Sequence, residues 1–170
     1  MHIAPLMIFI IMISGCTATY KQQPLTEQTA KLIRGKSIVI STPSNGFYGD
    51  EVYSSSGKTT AFEVRTSFAR FSNNVTVEPD CKDIACLKTS QSSNSDYYVI
   101  PEILHWEERA TEWSGIPDQI EIKLSVYDGR SLKELASTSI SGESKWATFG
   151  GDHPQDLLPD PLKLYVESLY

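Results

Sequence analysis

Basic clusters are missing from this sequence. Its 15 Lys and Arg are scattered among 21 Asp and Glu, for a net charge of −6. Phosphate backbones need clustered Lys and Arg, so nucleic acid is excluded as a partner. The same balance argues against electrostatic binding to an anionic lipid face. Long apolar runs are also absent: the longest uncharged apolar stretch, Ile3 to Ile13, falls well short of the roughly 20 residues that span a bilayer. Three Cys and three His leave little for a metal site. No H-E-x-x-H pair, G-x-S-x-G elbow or catalytic-cysteine context occurs. Ser54-Ser55-Ser56-Gly57-Lys58-Thr59 approaches a phosphate-binding loop, but Val52 stands where that loop requires its first glycine. Gly57 to Thr60 is therefore read as the lead into a helix, and neither a nucleotide nor any other cofactor is expected.

What is present begins at the N-terminus. Ile13-Ser14-Gly15-Cys16 closes the short apolar run with two small residues ahead of a cysteine. A segment of this length and polarity reads as a secretory signal. The placement of the cysteine resembles the lipobox of bacterial lipoproteins. That resemblance implies cleavage before Cys16, diacylation of its thiol and a mature chain starting there. An ordinary cleaved signal peptide, or an uncleaved anchor with Cys16 incidental, is the other reading. Thr17 occupies the place where Asp would retain many such proteins at the inner membrane, so the resemblance implies the outer membrane, facing the periplasm. The expected division is a signal peptide over 1–15, a lipidated N-terminus and tether over 16–35, and a periplasmic domain over 36–170. With a weak helix ending at Gly35, such a tether would reach on the order of 60 Å when extended.

The remaining cysteines, Cys81 and Cys86, form an even pair that reads as a disulfide in an oxidising compartment, with two buried free thiols as the alternative. Around them the pattern alternates between strand and helix. Ser37 to Thr42 is a β-branched run bounded by Pro43. Thr60-Ala61-Phe62-Glu63 has the form of a capping box, and Ala61, Val64, Phe68 and Phe71 follow at helical spacing over about 61–72. Val75 to Pro79 reads as a second strand, and 80–90 as a short crossover. Tyr97 to Trp106 is apolar on both faces, as a central strand is. After a hairpin tip at Trp113 to Asp118, Ile120, Ile122, Leu124 and Val126 alternate with Gln119, Glu121, Lys123 and Ser125. Leu135 to Ile140 supplies a further strand, and Leu162, Tyr165, Val166 and Leu169 a helical stripe at the C-terminus.

The expected fold is a single α/β (α+β) domain in the order β-α-β-α-β-β-β-α, a mixed sheet of about five strands with a C-terminal helix. The early crossovers demand parallel pairing; the later strands make a meander. This order resembles the amino-terminal domain of TolB and the envelope lipoproteins LpoB and CsgG. Residues 97–162 are similar to an uncharacterised family of bacterial lipoproteins. The likeness is carried by Pro101-Glu102-Ile103, Trp106-Glu107, Pro117-Asp118, Tyr127-Asp128, Leu157-Leu158 and above all the run from Ser144 to Pro154. It implies no activity, and a shared fold transfers none.

Three constellations remain. Asp152 and His153, with His105, Glu107, Glu108 and Glu112, have the residue types of an acid–base or metal site. Strand alternation places His105 and Glu107 on one face and Glu108 on the other, and an aspartate beside His153 serves equally as a helix cap. Lys145, Trp146, Phe149, Gly150, Gly151, Asp152 and His153 make a candidate partner surface at the sheet edge, unless the two rings only seal the core. Trp113, on its hairpin tip, is a further candidate contact. The expected function is a non-catalytic protein-interaction module, tethered by lipid to the outer membrane and binding another envelope protein. The alternatives are a periplasmic enzyme using Asp152 and His153, or a small-ligand or glycan binder using Trp113, Trp146 and Phe149.

Overall fold

The computed structural model describes residues 18–90, 94–109, 115–145 and 153–170. The main sheet has six strands in the order β1-β8-β7-β6-β2-β5. These are β1 (Thr19–Thr26), β2 (Ile38–Ser41), β5 (Val75–Glu78), β6 (Tyr97–Glu107), β7 (Gln119–Asp128) and β8 (Glu134–Glu143). A two-stranded ribbon, β3 (Phe47–Tyr48) and β4 (Glu51–Val52), stands apart. The helices are α1 (Ser56–Ala69), α2 (Ile84–Thr89) and α3 (Pro159–Leu169), the last preceded by a 3-10 turn over Pro154–Leu157. β2 pairs in parallel with both β5 and β6, and every other ladder of the main sheet is antiparallel. This is the mixed α+β sheet with a C-terminal helix that the sequence order implies.

Periodicity explains the layers. On one face Ile120, Ile122, Leu124 and Val126 of β7 meet Ile38, Ile40, Val99 and Ile140, and α1 and α3 close over them with Val64, Phe68, Leu162 and Val166. Burying a side chain such as Phe68, which is fully enclosed, contributes about 2–3 kcal/mol. On the other face α2 covers only one corner, where Leu87 packs on Val39, Tyr98 and Ile100. Asp83 caps that helix by accepting the Cys86 N–H at 2.8 Å. Cys81 and Cys86 are joined by a disulfide across its first turn, with Cα atoms 5.3 Å apart.

The N-terminal expectation needs correction. Residues 19–26 are not tether but the edge strand β1, paired from Thr19 opposite Glu143 to Thr26 opposite Ser137. Nearly all of β1 is exposed, because it lies outside the helical layer. No apolar face was needed there, so no alternation marked it. The weak helix expected before Gly35 is irregular chain instead, pinned beneath α3: Leu32 donates its N–H to Leu169 O at 2.9 Å, and Thr29 to Leu135 O at 3.0 Å. Residues 19–35 are therefore part of the fold that was expected to begin at residue 36.

α1 also begins earlier than the capping-box pattern suggests. Its first residue is Ser56, and Ser55 enters it with a left-handed φ of 76°. Thr60 is buried inside the helix and donates its hydroxyl to Ser56 O at 2.9 Å, an i−4 back-bond rather than a cap. The amide of Gly57 is taken by Asn45 Oδ1 at 3.1 Å, and a Cβ at Gly57 would fall 2.3 Å from Pro43 O. Glycine is required here by close approach of backbone.

Candidate functional site

The long connections β6–β7 and β8–3-10 turn leave the same end of the sheet, because Glu107, Gln119 and Glu143 stand in register there. Of the candidate surface, Lys145 and His153 are described; Trp113, Trp146, Phe149, Gly150, Gly151 and Asp152 lie outside the described residues, as does Cys16. The roots of both connections are tied together. Asp118, nearly inaccessible, donates its N–H to Ser144 Oγ at 2.8 Å, and its carbonyl accepts the Ser144 N–H at 2.9 Å. Its carboxylate accepts the backbone N–H of Arg109. A buried aspartate bonded in this way fixes the exit angles of two loops at once.

Beside this lock lies a polar cluster built on β6. A register shift between Ile103 and His105 leaves His105 and Glu107 on the same face, as alternation implies. Glu107 is only 6% exposed. Its two oxygens are divided between Arg109 Nε and His105 Nε2, the latter 3.0 Å away. Burial raises the Glu107 pKa, but the hydrogen bonds from Arg109 and His105 outweigh it and hold the carboxylate below its usual range. Arg109 also donates to Tyr48 OH at 2.8 Å and lies 4.8 Å from the centre of that ring. The Tyr48 ring meets His105 edge-on, with centroids 5.6 Å apart. The β3–β4 ribbon is thereby pinned along the upper half of β6. Gly46 admits this contact, since a Cβ there would come within 2.4 Å of Trp106 Cβ.

Glu108 points the other way. Its carboxylate lies 2.8 Å from His153 Nδ1, and its N–H is donated to Tyr53 OH at 3.3 Å. His153 in turn donates its backbone N–H to Asp156 Oδ2 at 3.0 Å, so Asp156 supplies the helix-entry carboxylate. Between these elements is a cleft of about 470 Å³ lined by Tyr53, Ser54, Thr59, Trp106, Glu108 and Gln155, among others.

Strand alternation puts His105 and Glu107 on one face and Glu108 on the other, and in the structure His105 pairs with Glu107 while Glu108 pairs with His153. Tyr48 and Arg109 carry no sequence signal, whereas Asp118 and Ser144 stand among the residues that carry the family likeness, without a role attached to them. Among the described residues no group of three or more His, Cys, Asp or Glu is placed to hold a metal ion. Glu107 has both oxygens committed to neighbours and so is suited to holding loops in place.

The fold and this polar lock define a single α+β domain whose long loops leave one end of a mixed sheet. The chain belongs to a family described as a domain of unknown function (DUF4823), matched over residues 30–169. That agrees with the likeness to an uncharacterised family carried by the run from Ser144 to Pro154, and extends it towards the N-terminus. No curated protein sequence matches the chain. Among solved structures it is similar to the PelC dodecamer from Paraburkholderia phytofirmans, at 15% identity and a TM-score of 0.60, covering 90% of this chain and 95% of that one. It is also similar to the hypothetical protein CT253 from Chlamydia trachomatis, at 12% identity and a TM-score of 0.50, over 78% and 94%. Lipoprotein GNA1162 from Neisseria meningitidis aligns at 14% identity and a TM-score of 0.43, over 78% and 94%. At such identities the first two likenesses establish the fold alone. Among the described residues no helix is long and apolar enough to cross a membrane.

Proposed function

We propose that this protein is a lipid-anchored component of the bacterial envelope, carried on Cys16 at the periplasmic face of the outer membrane. Its domain is a non-catalytic interaction module. The lipobox-like run Ile13-Ser14-Gly15-Cys16 supports the anchor. The observation that carries the interaction reading is β1, an eight-residue strand at the end of the sheet order, exposed along nearly its whole length. An edge of that kind is a template on which another chain can add a strand. The internal commitment of Glu107 to Arg109 and His105 favours positioning over catalysis. PelC, whose fold this chain shares in outline, assembles as a dodecamer, which favours an assembling role for this chain too.

Crosslinking in intact envelopes, followed by mass spectrometry, tests this reading. The expected result is crosslinks from Lys21 on β1 to an envelope protein or to a second copy. Recovery of the native chain unlipidated, or with no crosslinked partner at β1, would overturn it.

A further inference from the structure

We infer that the domain sits end-on against the bilayer, with the β3–β4 ribbon and the chain at Ile116 as its lipid-contacting surface. The inference rests on the anchor reading for Cys16 and adds an orientation to it. Cys16 is only three residues from Thr19, a reach of at most about 11 Å whatever path the chain takes. Thr19 stands opposite Glu143, Glu143 opposite Gln119, and Gln119 opposite Glu107. An acyl chain on Cys16 therefore draws down the end of the sheet from which both long loops leave. The far end, at the Asp128–Glu134 turn, is removed from it by the length of β7, roughly 30 Å at about 3.3 Å per residue. Because the link is so much shorter than the strands, it cannot present the far end to the membrane.

The surface at the near end has the matching chemistry. Phe47 and Val52 face each other across the β3–β4 ribbon and are 68% and 61% exposed. Ile116, just before Asp118, is 45% exposed, and Leu104, at the bulge of β6, 51%. Tyr48 anchors the ribbon to β6 through Arg109, so the ribbon presents its apolar pair from a fixed base. Exposed apolar groups beside an acylated residue bury themselves at the boundary between headgroups and acyl chains. The protein is acidic, so the contact is apolar and does not depend on anionic headgroups.

The test compares two proteins by hydrogen–deuterium exchange. One is the native lipidated chain in nanodiscs of zwitterionic phosphatidylethanolamine and phosphatidylcholine. The other is the chain from residue 16 carrying Cys16→Ser, in solution. Amides over 46–53 and 115–118 are expected to exchange about tenfold more slowly in the nanodisc, equivalent to about 1.4 kcal/mol, while those over 128–134 stay unchanged. In a lipidated Phe47→Ser/Val52→Ser double variant, whose altered residues are exposed and so spare the core, the protection over 46–53 should disappear. Protection at 128–134 instead, equal exchange in the two proteins, or protection that survives the double substitution would overturn the inference. Intact mass of the nanodisc sample separates the two readings: a lipidated chain without protection removes only this orientation, whereas an unlipidated Cys16 removes the anchor as well.

Discussion

Asp118 and Ser144, far apart in sequence, hold each other through two hydrogen bonds of 2.8 and 2.9 Å where the β6–β7 connection and the connection after β8 meet the sheet. Ser144 is 3% exposed, and Ser144→Ala removes the buried hydroxyl that accepts the Asp118 N–H. The expected cost is about 1–2 kcal/mol, measured by urea denaturation. Because the lock sits where both loops start, exchange over 115–118 should quicken more than at the far end of β7.

Glu107 shares the acid limb of stability with Asp96, Asp128 and Glu134, whose carboxylates are also held below their usual range. Its folded pKa lies below the ordinary value of 4.5. Its contribution is therefore complete above that value and is lost as pH falls through the folded pKa. Glu107→Gln should flatten the decline of stability below about pH 4.5. At neutral pH the variant should be less stable by about 2 kcal/mol, below the range for a fully buried pair because Arg109 is a third exposed. Denaturation midpoints at pH 3.5, 5 and 7 check both limbs.

Tyr165 is the opposite case. Its hydroxyl is buried without a hydrogen-bond partner, and burial pushes its pKa up to about 12. The unfolded chain ionises first, near 10, so stability is intact below pH 10 and is lost as pH rises towards 12. Tyr165→Phe removes an unsatisfied polar atom and should be neutral to stabilising, by up to about 1 kcal/mol at pH 7. It should also weaken the alkaline decline without abolishing it, because Tyr170 has its pKa pushed up to about 12 as well. Thermal melts between pH 8 and 12 follow this.

The Cys81–Cys86 bridge closes a very short loop, so chain entropy gives it about 2 kcal/mol. Reduction should lower the urea midpoint by about 1 M, taking a slope of about 2 kcal/mol per M for a chain of this size. Cys81→Ser/Cys86→Ser should reproduce the shift and become insensitive to reductant. Far-ultraviolet circular dichroism should change little, since α2 is only six residues long.

The central part of the fold was legible because burial imposes a period. Ile120, Ile122, Leu124 and Val126 alternate against a helical layer, and Leu162, Tyr165, Val166 and Leu169 recur on the helix that covers them. β1 escaped because a strand exposed on both faces has no period to read; its place is fixed by backbone pairing with β8. α1 was started late because Thr60 and Glu63 mimic a cap, while its real entry is set by Ser55 and by Asn45 bonding the Gly57 amide. The site was half legible. His105 and Glu107 fall on one face by simple alternation and Arg109 lies only two residues beyond Glu107, whereas Tyr48 arrives from a ribbon of two-residue strands, a contact between distant segments that no local pattern encodes.

The pairing of β1 with β8 also bears on how the protein can be produced. A version trimmed to residues 36–170, which a flexible leader would have permitted, strips away the whole partner of an outer strand ten residues long. Bared amides and carbonyls along that rim would seek company in neighbouring molecules, and the preparation should clump or swap strands. Starting at Ala18 keeps β8 covered and should clump less than the trimmed version, as light scattering on the two side by side would reveal.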